Sequence, residues 1–437
     1  MSAYNVLELT LWEILRVINP LGEDWSTRFH IINELRDVIK SVESLRGATV
    51  EPFGSFVSNL FTRWGDLDIS IELSNGSYIL SAGKKHKQTL LRDVLRTLRR
   101  RGGYRNLQYI ANAKVPILKF ESNYQNISCD ISINNLNGQM KSKLLFWIND
   151  IDRRFRDMVL LVKEWAKAHD INDPKSGTLN SYSLSLLVIF HFQTCAPAIL
   201  PPLKEIYPRN LVDDLTGVRA DAERLIEETC AVNIRRFKMD RSRTVNRSSL
   251  SDLFVSFLSK FSVIGLRASG QGICPYTGQW EDIGSNMRWL PKTYALFVED
   301  PFEQPENAAR TVSNRQLARI SVAFRASHRM LFSANQNQSS LIATLVRPEI
   351  SPLVSTLVRP QIPQFVPRTP LRSPNDYGRG YRSTRPQLQR FAPSPSQVQH
   401  QFQNMRLDGR PNNMTIQRPV QAFHSQGQQM RRPRNDR

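Results

Sequence analysis

The segment Asp66-Leu67-Asp68-Ile69-Ser70-Ile71-Glu72-Leu73 alternates polar and apolar residues without a break. A period of two demands a β-strand, which buries Leu67, Ile69, Ile71 and Leu73 and turns Asp66 and Asp68 together to the open face. A second alternating run, residues 126–133, puts Ile127, Cys129, Ile131 and Ile133 on one face and Ser128, Asp130 and Ser132 on the other. Residues 115–121 precede it and pair with it as a hairpin whose turn falls in residues 122–125. A D-x-D on one strand is commonly a solvated face. With a third carboxylate on a neighbouring strand, a shared site for divalent cations becomes the better reading.

Upstream, Ala48-Thr49-Val50-Glu51 makes a short strand that Pro52 is expected to end. Gly54-Ser55 then turns the chain with a small residue where phosphate can approach backbone N–H groups. Phosphoryl transfer asks a protein for held cations, positioned phosphates and an aligned nucleophile, so these parts belong together. Downstream, Phe155, Val159, Val162 and Ala166 form the apolar stripe of a helix, with Lys163 and Lys167 one turn apart on a shared face. Two ammonium groups so spaced can clamp a triphosphate, although a solvated face looks the same. Gly177-Thr178-Leu179-Asn180-Ser181-Tyr182-Ser183 leads into the apolar run 184–192, so Ser181 or Asn180 caps a buried helix. Tyr182 at that helix start is offered either to a base or to the core.

In this order, GS, DLD eleven residues after the serine, ISCDIS, LLVKEWAK, GTLNSYS and VEDPFE (298–303) resemble the motifs of non-canonical poly(A) polymerases and terminal uridylyltransferases of the DNA polymerase β superfamily. The match covers most of residues 1–330. Within the family the chain is most similar to the plant uridylyltransferases that tail small RNAs lacking 3′-terminal methylation. The resemblance implies that Asp66, Asp68 and Asp130 are the catalytic triad and hold Mg²⁺ or Mn²⁺. It implies that Gly54 and Ser55 cradle the phosphates, that Lys163, Lys167 and Ser181 contact the triphosphate, and that Tyr182 stacks on the base. Asn135 matches a position that reads the sugar and base, and Asp300 and Glu303 match acidic residues lining the base pocket. At Glu306 the chain departs from its relatives, many of which carry a histidine that contacts uracil and crowds out adenine.

The chain carries a net charge of +20, unevenly placed. Residues 341–437 hold fifteen arginines, no lysine and four acidic residues, a net +11, along with thirteen prolines and thirteen glutamines. Such a composition buries too little apolar surface to offset the entropy of ordering, which predicts a disordered tail whose removal spares core activity. Within it Thr344-Leu345-Val346-Arg347-Pro348 recurs as Thr356-Leu357-Val358-Arg359-Pro360, either a docking element or sequence drift. Arg96, Arg99, Arg100, Arg101 and Arg105, with Lys84, Lys85 and Lys87, form a basic cluster inside the folded part that suits RNA phosphates or a solvated face. No apolar run approaches the ~20 residues of a membrane span. The N-terminus lacks the basic start and cleavage site of a secretory signal. Cys129, Cys195, Cys230 and Cys274 show no metal-binding spacing.

The expected fold is α/β: a nucleotidyltransferase catalytic domain with a mixed sheet at 41–150, packed on a helical, poly(A)-polymerase-associated domain at 151–330. Helices in residues 1–40 are expected to join the helical domain, and 331–437 to form the disordered tail. The resemblance implies template-independent transfer of UMP from UTP to RNA 3′-hydroxyls, the RNAs being small RNAs lacking 3′-terminal methylation and thereby marked for decay. The alternatives are a poly(A) polymerase using ATP, or a catalytically dead RNA-binding scaffold, against which the intact triad argues. RNA 3′ ends and UTP are the expected partners, with a small-RNA effector such as Argonaute at the tail and no membrane. The expected location is cytoplasmic, with a nuclear share.

Overall fold

Both alternating runs fold as strands of one sheet. In the computed structural model, which describes residues 3–73, 78–79, 82–289, 293–332 and 337–358, the chain opens with α1 (Ala3–Ile18) and α2 (Gly22–Lys40). The sheet is built from β1 (Thr49–Phe53), β2 (Leu67–Glu72), β3 (Tyr104–Ile110), β4 (Ile117–Ser122) and β5 (Ser128–Ile133), in the order β1-β2-β5-β4-β3. The short α3 (Gly54–Val57) follows β1, and α4 (Lys84–Arg101) follows β2. Only β2 and β5 run parallel, and the chain between them supplies the crossover that a parallel pair needs. The expected hairpin is β4–β5, with its turn at residues 123–126. All of these residues lie in a unit spanning 1–395; a second unit, 396–437, contains no described residue.

Pro52 does not end its strand. β1 runs on to Phe53 because it is the edge of the sheet, where a missing N–H leaves no neighbour unpaired. The other face of β2 is also less open than the alternation suggests. Ser70 and Glu72 are buried, with Glu72 accepting hydrogen bonds from Ser70 Oγ (2.5 Å), Gln139 Nε2 (2.6 Å) and Arg219 Nη1 (2.9 Å). Those partners stand on α5 (Leu136–Asn149) and on a later helix, which cover this face and leave it open only at its Asp66–Asp68 end.

The helical domain adds α6 (Arg153–Ala168), α7 (Ser181–Gln193), the short α8 (Leu211–Asp214), α9 (Arg219–Met239), α10 (Leu250–Phe261), the short α11 (Ile264–Arg267), the hairpin of β6 (Gln271–Cys274) and β7 (Gln279–Asp282), and α12 (Asn314–Leu331). Its core joins Leu7, Leu11 and Ile14 of α1 to Leu144 of α5, Trp165 of α6, Phe190 of α7 and Phe324 of α12. Residues from both flanks therefore build this domain. The expected boundary at residue 40 is nevertheless misplaced for α2, which packs on β1 and α4 and whose Trp25 meets Phe56 and Phe61. α2 belongs to the sheet.

A larger correction falls at the C-terminal end. α13 (Gln338–Leu345) and α14 (Ser351–Val358) pack on α1, and α13 also on α6, burying Leu341, Ile342, Leu345, Val346, Ile350 and Val354. A tail beginning at 331 or 341 is thus excluded for these residues. Averaged over so long a segment, arginine and proline hide two short apolar helices. The first copy of the repeat closes α13, where Arg347 forms a forked pair with buried Glu164 (Nε–Oε1 and Nη2–Oε2, both 3.0 Å). Of the second copy, Thr356 to Val358 lie in α14, while Arg359-Pro360 and the rest to 437 lie outside the described residues.

Candidate active site

Sheet register assembles the triad. The parallel pairing of β2 and β5 sets Asp68 beside Asp130, and the antiparallel pairing of β4 and β5 sets Lys119 on the other side of Asp130. Neighbouring strands lie ~4.8 Å apart, so these three side chains share one row of the sheet. Asp66, just before β2, completes the group with its side chain 54% exposed. The Lys119 ammonium stands 3.2 Å from Asp130 Oδ1 and 3.5 Å from Asp66 Oδ2. Sequence reasoning passed over Lys119, although its place opposite Asp130 follows from the hairpin already expected.

Gly54 enters the site from the edge strand, where Phe53 pairs with Asp68. It has a φ of +70°, its N–H donates to Ser142 Oγ of α5 (2.7 Å), and a Cβ at this position would fall 1.9 Å from Asp68 Oδ2. Ser55 follows as the second residue of α3. The Gly54-Ser55 turn and the carboxylate row are therefore in direct contact.

The electrostatics call for a cation. Asp68 is pushed up to about 7, first by burial and then by the charges of Asp130 and Asp66. Burial also raises Asp130, against the pull of Lys119. For Lys119 the order is reversed: burial disfavours its charge, but Asp66 and Asp130 outweigh burial and keep it protonated. Apart from its ion pair with Lys119, buried Asp130 Oδ1 has no hydrogen-bond donor among the described residues. Crowded carboxylates with an unsatisfied oxygen fit a hard divalent cation such as Mg²⁺ or Mn²⁺. Among the described residues no three acidic, histidine or cysteine side chains are placed to hold a metal ion together as the side chains stand; in the triad, Lys119 provides the positive charge.

The two lysines of α6 have different surroundings. Lys163 is buried and donates to Leu60 O at 2.7 Å. Burial, then the charge of Lys167, lowers it to about 7, against the pull of Asp68 and Asp66. Lys167 is more open, and burial followed by the nearby Arg347 lowers it as well. Asn180 is the helix cap of α7, its Oδ1 accepting from Ser183 N at 2.7 Å. This leaves the Ser181 hydroxyl to Asn172, at 3.3–3.4 Å.

A second polar cluster joins α5, α7 and the segment after β7. Tyr182 OH donates to Asp300 Oδ1 (2.9 Å), and Lys141 Nζ lies 2.5 Å from both Asp300 Oδ2 and Glu303 Oε2. The same ammonium is 5.3 Å from the centre of the Tyr182 ring. Burial opposes its charge, and the two carboxylates overcome it. Asn137 Nδ2 donates to Glu303 Oε1, and Asn135 caps α5 through Gly138 N (3.2 Å). Glu306 Oε2 pairs with Lys114 at 3.1 Å and faces Arg310 at 4.0 Å. Asn135, Asn137, Lys141, Glu303, Arg310 and Lys114 line one cavity of about 850 Å³. Lys141, Asn137 and Lys114 have no signature in the sequence: Lys141 meets Asp300, 159 positions further along the chain, which only folding reveals.

Residues 7–149 match the family model described as the central palm domain of mitochondrial-like poly(A) RNA polymerase. Protein HESO1 of Arabidopsis thaliana is 63% identical over 345 residues, covering 79% of this chain and 67% of the relative. Poly(A) RNA polymerase cid11 of Schizosaccharomyces pombe is 26% identical over 337 residues, 74% of this chain and 62% of the relative. The chain thus spans roughly two thirds of each relative's own length. Among solved structures, Cid1 in complex with the UTP analogue UMPNPP superposes with a TM-score of 0.60 at 25% identity, covering 78% of this chain and 98% of Cid1. With its palm sheet, carboxylate triad and helical partner domain, the chain belongs to the family of non-canonical poly(A) polymerases and terminal uridylyltransferases, and it is a nucleotidyltransferase.

Proposed function

We propose that this protein transfers UMP from UTP to the 3′-hydroxyl of RNA without a template, with release of pyrophosphate. The observation that carries the reading is the row formed by Asp68, Asp130 and the adjoining Asp66 against the Gly54-Ser55 turn. Asp66, Asp68 and Asp130 would hold Mg²⁺ or Mn²⁺, which when bound activates the attacking hydroxyl and neutralises the leaving pyrophosphate. Gly54 gives the chain room to turn, with its own N–H held by Ser142, and Ser55 presents its backbone N–H to the phosphates; Lys163 and Lys167 reach them from α6, and Ser181 adds a hydroxyl. Tyr182 would offer its ring to the base, and Asn135, which lines the cavity, is the residue proposed to read sugar and base.

For the base itself, Lys141 is a donor and Asp300 and Glu303 are acceptors within one cluster. Uracil presents carbonyl oxygens on either side of an N–H, and in this reading Lys141 donates to one carbonyl while one of the two carboxylates accepts from the N–H. Cid1, captured with a UTP analogue, lends support. Adenylyl transfer is the second reading, favoured by one observation: Glu306, tied to Lys114, stands where many uridylyltransferases have a histidine.

The RNA substrates proposed are small RNAs lacking 3′-terminal methylation, marked for decay by the added uridines. A small-RNA effector such as Argonaute is the partner proposed for the segment beyond residue 358, and the proposed location is cytoplasmic with a nuclear share. Extension of a labelled short RNA, with and without a 2′-O-methyl group on its last nucleotide, tests the substrate. Unmethylated RNA should be extended and methylated RNA spared; equal extension of both would remove the small-RNA assignment.

A further inference from the structure

Trp64 is an aromatic side chain left in solvent two residues before Asp66, on a stretch of backbone that is otherwise held fast. Its side chain is 42% exposed. The carbonyls on either side of it, Arg63 O and Gly65 O, both accept from one guanidinium nitrogen, Nη2 of Arg28 (3.1 and 2.6 Å). Arg28 is itself fully buried on α2 and lies 4.6 Å from the Phe61 ring centre. Further bonds pin the loop: Arg63 N to Ile18 O (3.1 Å) and Gly65 N to Thr62 O (2.8 Å). A buried cation spent on the backbone of one short loop fixes where the indole stands.

Two more guanidinium groups face that indole. Arg63 lies 5.8 Å and Arg347 5.9 Å from the ring centre. Each is itself anchored, Arg63 by Asp24 Oδ2 (3.2 Å) and Arg347 by buried Glu164. Arg347 arrives from the turn after α13, so the C-terminal helices contribute to this corner of the site. Lys167 of α6 lies close enough to Arg347 to feel its charge. An exposed aromatic ring on a pinned backbone, with two anchored guanidinium groups beside it, is what single-stranded nucleic acid uses, bases stacking on the ring while phosphates meet the charges.

Position identifies which nucleotide. Two residues of chain span at most ~7 Å, so the Trp64 backbone adjoins the carboxylates where the attacking hydroxyl must lie, which makes the terminal nucleotide the one its indole would meet. We propose that Trp64, flanked by Arg63 and Arg347, is the acceptor platform on which the 3′-terminal base of single-stranded RNA stacks, distinct from the UTP base cluster at Tyr182, Lys141 and Asp300. The assignment rests on the RNA-tailing reading and names the second substrate's seat within it. Trp64 binds the acceptor and takes no part in the chemistry.

The test compares Trp64→Ala and Trp64→Phe with the parent, using a short unstructured RNA and UTP. Trp64→Ala should raise the KM for RNA about tenfold, as loss of one stacked base does, while the KM for UTP stays within twofold. Trp64→Phe should recover most of the loss, because a phenyl ring still stacks. In a second arm, RNA added without nucleotide should quench part of the parent's tryptophan fluorescence, and Trp64→Phe should lack that part. An unchanged KM for RNA in Trp64→Ala, an equal rise in both KM values, or the same quench in parent and Trp64→Phe overturns the proposal. Should the parent extend no RNA with any nucleotide, the tailing reading fails on its own, and the fluorescence arm still decides whether Trp64 meets RNA.

Discussion

Asp68 occupies the space that any side chain at residue 54 would need: a Cβ on Gly54 falls 1.9 Å from its Oδ2. The positive φ of +70° makes the same demand of the backbone. Gly54→Ala therefore has to displace the Asp68 carboxylate or the turn itself. Nucleotide addition should fall on the order of 10²-fold or more, while the melting temperature drops only by the few degrees that ~1–2 kcal/mol of strain represents. Full activity in Gly54→Ala would mean that the turn does not bear on the site.

Asp66 is the most accessible member of the triad, so its loss leaves no buried group unpaired except that Lys119 loses one of two partners. Asp66→Ala should abolish extension of RNA and leave the circular dichroism spectrum and melting temperature close to the parent's. Asp68→Ala should be equally inactive. Near-normal extension by Asp66→Ala in the presence of Mg²⁺ would exclude the shared-cation reading.

The C-terminal boundary makes a separable prediction. A chain ending at residue 340 loses buried Leu341, Ile342, Leu345, Val346, Ile350 and Val354 and should be strongly destabilised. A chain ending at 358 should fold and retain core activity on generic RNA, with weaker binding that depends less on salt, since the removed segment is rich in arginine. Arg347→Ala should cost ~3 kcal/mol, because it leaves the buried Glu164 carboxylate without its countercharge and with only the residue-347 backbone N–H as donor. Equal melting temperatures for the two truncations would contradict the packing of α13 and α14.

Burial, with the charge of Lys260 nearby, pushes His191 down to about 3. An unfolded imidazole titrates near 6.5, so between ~6.5 and ~3 the unfolded chain takes up a proton that the folded chain refuses. The His191 contribution to stability is therefore intact above ~6.5 and lost as pH falls toward 3, with a slope of up to ~1.4 kcal/mol per pH unit. Carboxylates add their own acid dependence, so the informative quantity is the difference between parent and His191→Phe. From pH 7 to pH 5 the parent should lose more unfolding free energy than the variant; parallel curves would show that His191 is not held neutral.

Strand patterning made the triad legible before any coordinates: Asp68 and Asp130 occupy alternate positions in runs whose apolar faces could only be buried. Lys119 was within reach too, one hairpin register away. Asp300, Glu303 and Glu306 were legible only through family likeness, and the sequence itself gives no hint that Lys141 meets Asp300 or that Lys114 meets Glu306. Local pattern also misjudged what depends on neighbours. Pro52 continues β1 because that strand has a free edge, and Ser70 and Glu72 are buried because α5 and α9 cover a face that reads as polar. Leu341 and Ile342 were lost in an average dominated by arginine and proline, and their burial depends on α1, more than three hundred residues earlier in the chain.

The most direct measurement is the ratio of kcat/KM for UTP to that for ATP, on one short RNA, in the parent and in Glu306→His. The parent should favour UTP, in line with its likeness to HESO1 and to Cid1, which was captured with a UTP analogue. Glu306→His should raise the ratio further, by the ~10-fold or so that one polar base contact is worth, since a histidine there donates to uracil and crowds a purine. A ratio unchanged by the substitution would show that Glu306 does not face the base. A parent that prefers ATP, or that extends RNA with neither nucleotide, would contradict uridylyl transfer outright.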